Sequence, residues 1–190
     1  AAVTPFAIGP DLALLARLGP AVLWIGALLA MLLGRDRLFQ TDLEDGALDG
    51  LLRTPAPRDA IYLGKVIANF ALVYAIVLVT VGVFGLFFQL DYGSNLGVLL
   101  GCLAIGALGF VALATLFGAL TASTRLGESL LPILLFPLLV PMVVYGASAA
   151  GRLIAERPVS EVAGQIRMLA AFAVLAVGAG AALFGQIVEE

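Results

Sequence analysis

The chain has 190 residues, of which 62% are apolar and only 12% charged. Its mean hydropathy is +1.12 and its isoelectric point lies near 4.9, whereas soluble domains carry roughly 25% charged residues. These values exclude a soluble α/β enzyme, a disordered chain and a basic nucleic-acid binder, and they describe an all-α, polytopic transmembrane bundle.

Two further counts narrow the chemistry. There is no histidine, so the chain offers no imidazole to a metal or to haem and no general base near neutral pH. The single cysteine, Cys102, sits inside an apolar run, which excludes an intrachain disulfide or a paired-thiol motif.

In chain order, Ala1 to Ile8 is apolar and runs into Gly9-Pro10-Asp11, a helix stop. It is expected to be the tail of an earlier span, which would give the full protein six spans and leave the first mostly absent here. Five charge-free stretches follow: Leu18 to Gly34, Val66 to Leu90, Tyr92 to Thr124, Ser129 to Gly151 and Met168 to Val188. A helix crosses the hydrocarbon core in about 20 residues, and backbone in lipid must bond within its own segment. The expected spans are therefore Ala16 to Gly34, Tyr62 to Phe88, Leu96 to Ala122, Ser129 to Ala149 and Arg167 to Val188. The whole of residues 1–190 forms one permease-like membrane domain. Lys and Arg favour the cytoplasmic side, and Arg35, Arg37, Arg53, Arg58, Lys65 and Arg125 outnumber Arg17, Arg152, Arg157 and Arg167. This bias places Arg35 to Asp59 in the cytoplasm.

Within the spans, Pro132, Pro137 and Pro141 each remove a backbone donor and predict a bent or locally opened helix, either a hinge on a translocation path or kinks packed against neighbours. Gly93, Gly97 and Gly101 recur every fourth residue, as do Gly178 with Ala182 and Ala181 with Gly185. That spacing predicts close helix contact, within the chain rather than across a dimer face. Asn69, Tyr74 and Thr80 are the notable polar groups of their span. With no charge at bilayer depth, a proton relay or charged-ligand site is unsupported.

The segment from Arg35 to Asp59 holds 10 of the 23 charges. Leu38, Phe39 and Leu43 share one helical face, and Leu48, Leu51 and Leu52 share another after the break at Gly46. Asp45 can cap the second short helix, Asp49 lies in its first turn, and Pro55 and Pro57 end it. The product is one or two short helices with apolar teeth and an acidic rim of Asp42, Glu44, Asp45 and Asp49. Helices that lie on membranes carry Lys and Arg on the polar face; this rim is acidic, and anionic lipid repels it. Docking in the groove of a soluble partner is the better expectation, against the plainer alternative of a solvated loop. A phosphate-binding loop needs Gly, four residues, then Gly-Lys-Ser/Thr. Gly64-Lys65 is preceded by Asp59 at the first glycine position and followed by Val66, so the chain does not bind ATP by that motif. Lys65 is instead expected to mark the membrane boundary, snorkelling to the headgroups.

The string from Asp42 to Lys65, DLEDGALDGLLRTPAPRDAIYLGK, resembles the pattern of ABC-2-type ABC-transporter permeases at Glu44, Asp45, Gly46, Leu48, Asp49, Leu51, Leu52, Thr54, Pro55, Gly64 and Lys65. More closely, Ile8-Gly9-Pro10, Leu14-Leu15-Ala16-Arg17, Trp24, Arg37-Leu38-Phe39 before Asp42-Leu43, and the proline-rich Leu131 to Pro141 resemble the haem exporter protein B family. That family is the permease subunit of the cytochrome c maturation ABC transporter.

The resemblance implies a non-catalytic, multi-pass subunit of the bacterial inner membrane, with membrane lipid around it and no nucleic acid among its partners. It implies a cytoplasmic ABC ATPase docked on residues 35–59, other cytochrome c maturation membrane subunits, and a periplasmic haem chaperone whose haem-loaded form is released when the ATPase hydrolyses ATP. ATP would then belong to the partner. Haem would be held by partners, since without histidine only Cys102, the methionines and the tyrosines could ligate it, and none forms an obvious pair. The connection Gly151 to Ile166 alternates charged and apolar residues and is expected to be an interfacial helix or a contact for the chaperone. Two other functions are compatible with the same residues: an ABC-2 exporter of a lipid, polysaccharide or drug, and a membrane scaffold without a transport cycle.

Overall fold

The computed structural model describes residues 18–29, 57–88, 92–121 and 127–188, and every regular element among them is helical. These elements are α1 (Leu18–Leu29), α2 (Arg58–Phe88), a 3-10 turn at Gly93–Asn95, α3 (Leu96–Thr121), α4 (Gly127–Ile154) and α5 (Val159–Val188). The helices α2 to α5 each contain a stretch long and apolar enough to cross a membrane, which makes this a multi-pass membrane protein. α1, α3 and α5 run in one direction and α2 and α4 in the other. The bundle thus has an Arg58 end, where α2 begins, and an Asn95 end, where α3 begins.

α3 is the central helix, packed by α2, α4 and α5. Phe110, Val111, Ala112, Leu113, Ala114, Thr115 and Leu116 are all buried. Seven consecutive residues cover nearly two turns, so here the helix is enclosed around its whole circumference. A helix that is apolar on every side has no other stable place.

α2 lies antiparallel to α3 in a register that two tyrosines report. The Tyr62 hydroxyl donates to the Ala112 carbonyl at 3.0 Å, and the Tyr74 hydroxyl donates to the Leu100 carbonyl at 3.2 Å. Both steps are twelve residues in opposite directions, about 18 Å of helix. Thr80 donates to the Ile76 carbonyl of its own helix at 2.9 Å.

α5 begins eight residues before the expected Arg167. The Gly151 to Ile166 connection is therefore no separate interfacial helix: it is the end of α4, a tight turn and the opening turns of α5. The start signal was in the sequence, since Pro158 precedes the helix and Glu161 places negative charge in its first turn. Charge marks the edge of the lipid, and a helix need not stop there. The turn itself is closed by two backbone bonds, from the Glu156 amide to the Leu153 carbonyl at 3.1 Å and from the Arg157 amide to the Arg152 carbonyl at 3.0 Å. This pairing requires a left-handed residue between them, and Glu156 supplies it with φ of 54°. α4 runs unbroken as helix through Pro132, Pro137 and Pro141.

The Asn95 end is stapled by side chains of the α2–α3 connection. Asn95 donates from Nδ2 to the carbonyls of Leu153 and Arg157, each at 3.2 Å, and so holds the α4–α5 turn from below. Tyr92 donates to the Val81 carbonyl at 2.7 Å. Burial pushes its phenol up to about 12, so it stays a neutral donor across the physiological range. Gly93, left-handed with φ of 51°, leaves space that the Glu156 side chain occupies. We expect Asn95→Ala to lose both bonds at a cost of about 1–2 kcal/mol and to raise proteolytic nicking between residues 155 and 158. Unchanged cleavage would show that the turn holds itself.

Of the glycines expected at close helix contacts, Gly185 does lie against α2, its Cβ position 3.6 Å from the Arg58 Cβ, but most close approaches are made by others. Gly97, Gly101 and Gly178 have no atom within 4 Å of where a Cβ would stand, so these three make no close helix contact. The rotation of α3 is set by burying Leu99, Leu103 and Phe110. Residues two positions on lie about 200° around the helix, and Gly97 and Gly101 consequently face outward. Glycines that admit a neighbour include Gly106 and Gly146 against Trp24, Gly26, whose Cβ would stand 2.8 Å from the Phe84 ring, Gly180 against Tyr62, and Gly109, where a Cβ would stand 3.4 Å from the Ala173 Cα.

Candidate functional site

The predicted coupling residues Leu38, Phe39, Asp42, Leu43, Glu44, Asp45, Gly46, Leu48, Asp49, Leu51, Leu52 and Pro55 lie outside the described residues. The described chain resumes at Pro57, where the segment enters α2, and the site is built from there.

The Pro57 carbonyl accepts from the Ile61 amide at 3.2 Å, the first helical bond of α2. Asp59 Oδ1 accepts from the Ala60 amide at 3.0 Å and puts a negative charge on the helix start, where the dipole favours it. Helix α2 thus begins immediately after Pro57. Lys65 is half-buried about 10 Å along α2.

The first buried residues of α2 are Ile61 and Tyr62. Tyr62 is fully enclosed and touches two other helices. Its hydroxyl donates to α3 at Ala112, and its ring meets Phe184 of α5 with centroids 5.5 Å apart and planes tilted 44°. Gly180, one turn earlier on α5, has no side chain where the Tyr62 hydroxyl passes. Beside it the Arg58 stem stands 3.6 Å from the Cβ position of Gly185. A tyrosine near a span boundary ordinarily suggests an aromatic belt facing headgroups, so its burial is not readable from its position in the chain. The one sequence signal is the glycine at 180, whose partner only the fold reveals.

Nearer the Asn95 end, Trp24 of α1 is 2% exposed, its indole inserted into a slot between Gly106 of α3 and Gly146 of α4. Among the described residues its Nε1 has no hydrogen-bond partner, and neither has the Thr115 hydroxyl of α3. A buried unpaired donor costs roughly 1–3 kcal/mol. The indole is therefore held by shape rather than by a polar contact, and the slot depends on two residues having no side chain.

Comparison with known proteins supplies the context for this geometry. The family described as CcmB protein matches residues 1–186. The heme exporter protein B of Bradyrhizobium diazoefficiens is 41% identical over 147 residues, covering 77% of this chain and 65% of that protein. The heme exporter protein B of Rhodobacter capsulatus is 36% identical over 170 residues, 85% of this chain and 76% of the relative. That of Escherichia coli K12 is 34% identical over 146 residues, 76% of this chain and 66% of the relative. The chain thus spans about two thirds of the length of these relatives. A match over almost every residue, carried by a sequence that folds into an all-helical multi-pass bundle, establishes that the chain belongs to the CcmB family.

Proposed function

We propose that this chain is the membrane permease subunit of an ABC transporter for cytochrome c maturation, resident in the bacterial inner membrane. A cytoplasmic ATPase docks on residues 35–59, and its hydrolysis of ATP drives release of a haem-loaded periplasmic chaperone from neighbouring membrane subunits. The observation that carries this reading is the acidic, Leu-toothed segment Asp42 to Leu52 placed between two spans in a chain of the CcmB family. Its relatives are named for haem export, and in this chain the subunit acts mechanically: the partner hydrolyses ATP, and the permease converts the partner's motion into rearrangement of its helices.

The donors available for haem support a mechanical role. Cys102 and Met142 are buried in the core, whereas Met168 is 54% exposed on α5. Tyr62, Tyr74 and Tyr92 each donate their hydroxyl to a backbone carbonyl, so using any of them as a ligand would break a contact that sets helix register. Tyr145 on α4 is 39% exposed and Met31 lies outside the described residues; among the described donors no two are shown paired as axial ligands, which supports haem being held by partner subunits.

The test is to purify the chain with its native partners, add ATP, and follow the haem-bearing periplasmic protein. Release is expected with active ATPase and absent with a hydrolysis-dead one. Equal release in both would refute the mechanism, and ATPase activity indifferent to this subunit would make it a scaffold.

A further inference from the structure

We propose that the outward face of α5 seats a phospholipid, with its phosphate on Arg167 and its acyl chains on the apolar strip below. The site lies on a different element from residues 35–59 and stands independently of the docking reading. Three observations lead to it.

First, one face of α5 is complementary to an amphiphile. Gly164, Arg167, Met168, Ala171, Val174 and Leu175 are all exposed. At about 100° per residue they fall within a sector of about 120°, a single strip whose one charge lies toward the end where α5 begins. Below Arg167 the strip is wholly apolar, and Val174 and Leu175 are 71% and 70% exposed.

Second, Arg167 stands at the depth of the lipid phosphates. A Cβ on Gly109 of α3 would lie 3.4 Å from the Ala173 Cα, so these two residues are level in a parallel pair. Arg167 is then level with Leu103, about 12 Å from Asn95 toward the Arg58 end. Asn95 holds the α4–α5 turn, so Arg167 is recessed by that distance from the charges of the turn. From Met168 to Val188 the helix runs 21 residues without a charge, about 31 Å against a hydrocarbon core of about 30 Å. The arginine therefore marks the boundary between headgroups and chains, where a charged side chain is costly without a polar partner.

Third, the guanidinium is both pinned and open. Nε donates to the Ala163 carbonyl at 3.3 Å, which turns the fork toward the start of α5, the direction that long side chains take on a helix. Among the described residues no carboxylate is paired with it, and its Nη groups are left for an acceptor from outside the chain. Gly164 lies three residues nearer the headgroups and has nothing within 4 Å of its Cβ position. A phosphate can come up against the fork across that gap and accept two parallel bonds, which a guanidinium is shaped to give. A free anion would satisfy Arg167 but not the strip, and an apolar helix of another protein would cover the strip but strand the charge. A phospholipid does both, because its phosphate and its chains are joined at the headgroup boundary.

The test uses the full-length protein with its native partners in vesicles of phosphatidylethanolamine and phosphatidylglycerol, extracted in mild detergent and read by native mass spectrometry for lipid retained on this subunit. The parent is expected to retain a phospholipid that Arg167→Gln loses, the bound fraction falling about tenfold, as the loss of charge-assisted bonds to phosphate predicts. Gly164→Leu, which fills the gap, should lose it to a similar extent with Arg167 in place. Arg157→Gln, which removes a charge from the turn, should keep it. Gly164 and Arg167 are both exposed, so neither variant disturbs the packed core. Undiminished lipid in Arg167→Gln, or equal loss from Arg157→Gln, overturns the site and leaves only the ordinary lipid annulus. Displacement of the lipid by excess inorganic phosphate also overturns it, by making Arg167 a site for a free anion. In a Cys102→Ala background, Val174→Cys should react with a lipid-soluble maleimide in the intact complex. Its cross-linking to a second copy or to another subunit would show that protein covers this face, and the proposal would fall.

Discussion

Leu51→Asp and Leu48→Asp are expected to leave the protein inserted in the membrane but to strip it of the ATPase. The expected loss of co-purified partner is at least tenfold for each. An unpaired carboxylate facing an apolar groove must be desolvated or excluded, and even about 1.4 kcal/mol of that penalty is a factor of ten in binding. By their spacing Leu48 and Leu51 are expected to share one helical face, with the acidic residues Asp42, Glu44, Asp45 and Asp49 as its rim. A charge added to the rim at a neighbouring solvent position is therefore expected to change binding far less than the same charge among the leucines. Normal amounts of ATPase co-purifying with both variants would remove the docking model, and the segment would then be a solvated connection between spans.

Trp24→Ala has the largest expected effect on stability. Removing a buried aromatic costs about 3–5 kcal/mol where the neighbours cannot collapse into the space, and α3 and α4 meet the indole with glycine backbone rather than adaptable side chains. Because helices in lipid associate through such packing instead of hydrophobic transfer, the loss falls directly on the α1–α3–α4 contact.

Gly146→Ala probes the same slot from the other side. In a helix interior Gly→Ala ordinarily stabilises by up to about 1 kcal/mol. Here the methyl meets the indole, and overpacking should destabilise by about 1–3 kcal/mol. Gly101→Ala is the control: nothing stands within 4 Å of its Cβ position, and the ordinary sign is expected. The chain has one tryptophan, so emission from Trp24 during unfolding in mixed micelles reads out the site itself. Equal and stabilising effects at Gly146 and Gly101 would show that the slot is not closed.

The positions of α2, α3, α4 and α5 were largely legible in advance. Charge-free runs of span length can only be helices in lipid, and the expected end of α2 at Phe88 and start of α3 at Leu96 coincide with the structure. Charge places the expected start of α5 at Arg167, whereas the helix begins at Val159, because charge marks the edge of the lipid rather than the end of a helix, and Pro158 and Glu161 signal the earlier start. Among candidate site residues, the acidic and leucine pattern before Pro57 could be recognised because it is local. Tyr62, Trp24, Gly146 and Gly180 were not assigned to contacts, because each matters only through a partner more than 100 residues away or on another helix.

The glycines make the division plain. Spacing by four residues is a property of the sequence and is shared by Gly97 and Gly101 with stripes that do pack. Whether such a stripe meets a neighbour depends on how the helix is rotated, and rotation is decided by all of its side chains competing for the interior. On α3 the larger residues Leu99, Leu103 and Phe110 prevailed, so the glycines at Gly97 and Gly101 face outward and Gly106 and Gly109 make the contacts. The sequence alone determined that this is a membrane bundle, with 10 of its 23 charges in the segment 35–59 and no histidine. Tertiary structure decided which glycines receive Trp24 and Tyr62, and therefore which helices pack together, because contact between helices is set by rotation and register that no single segment contains.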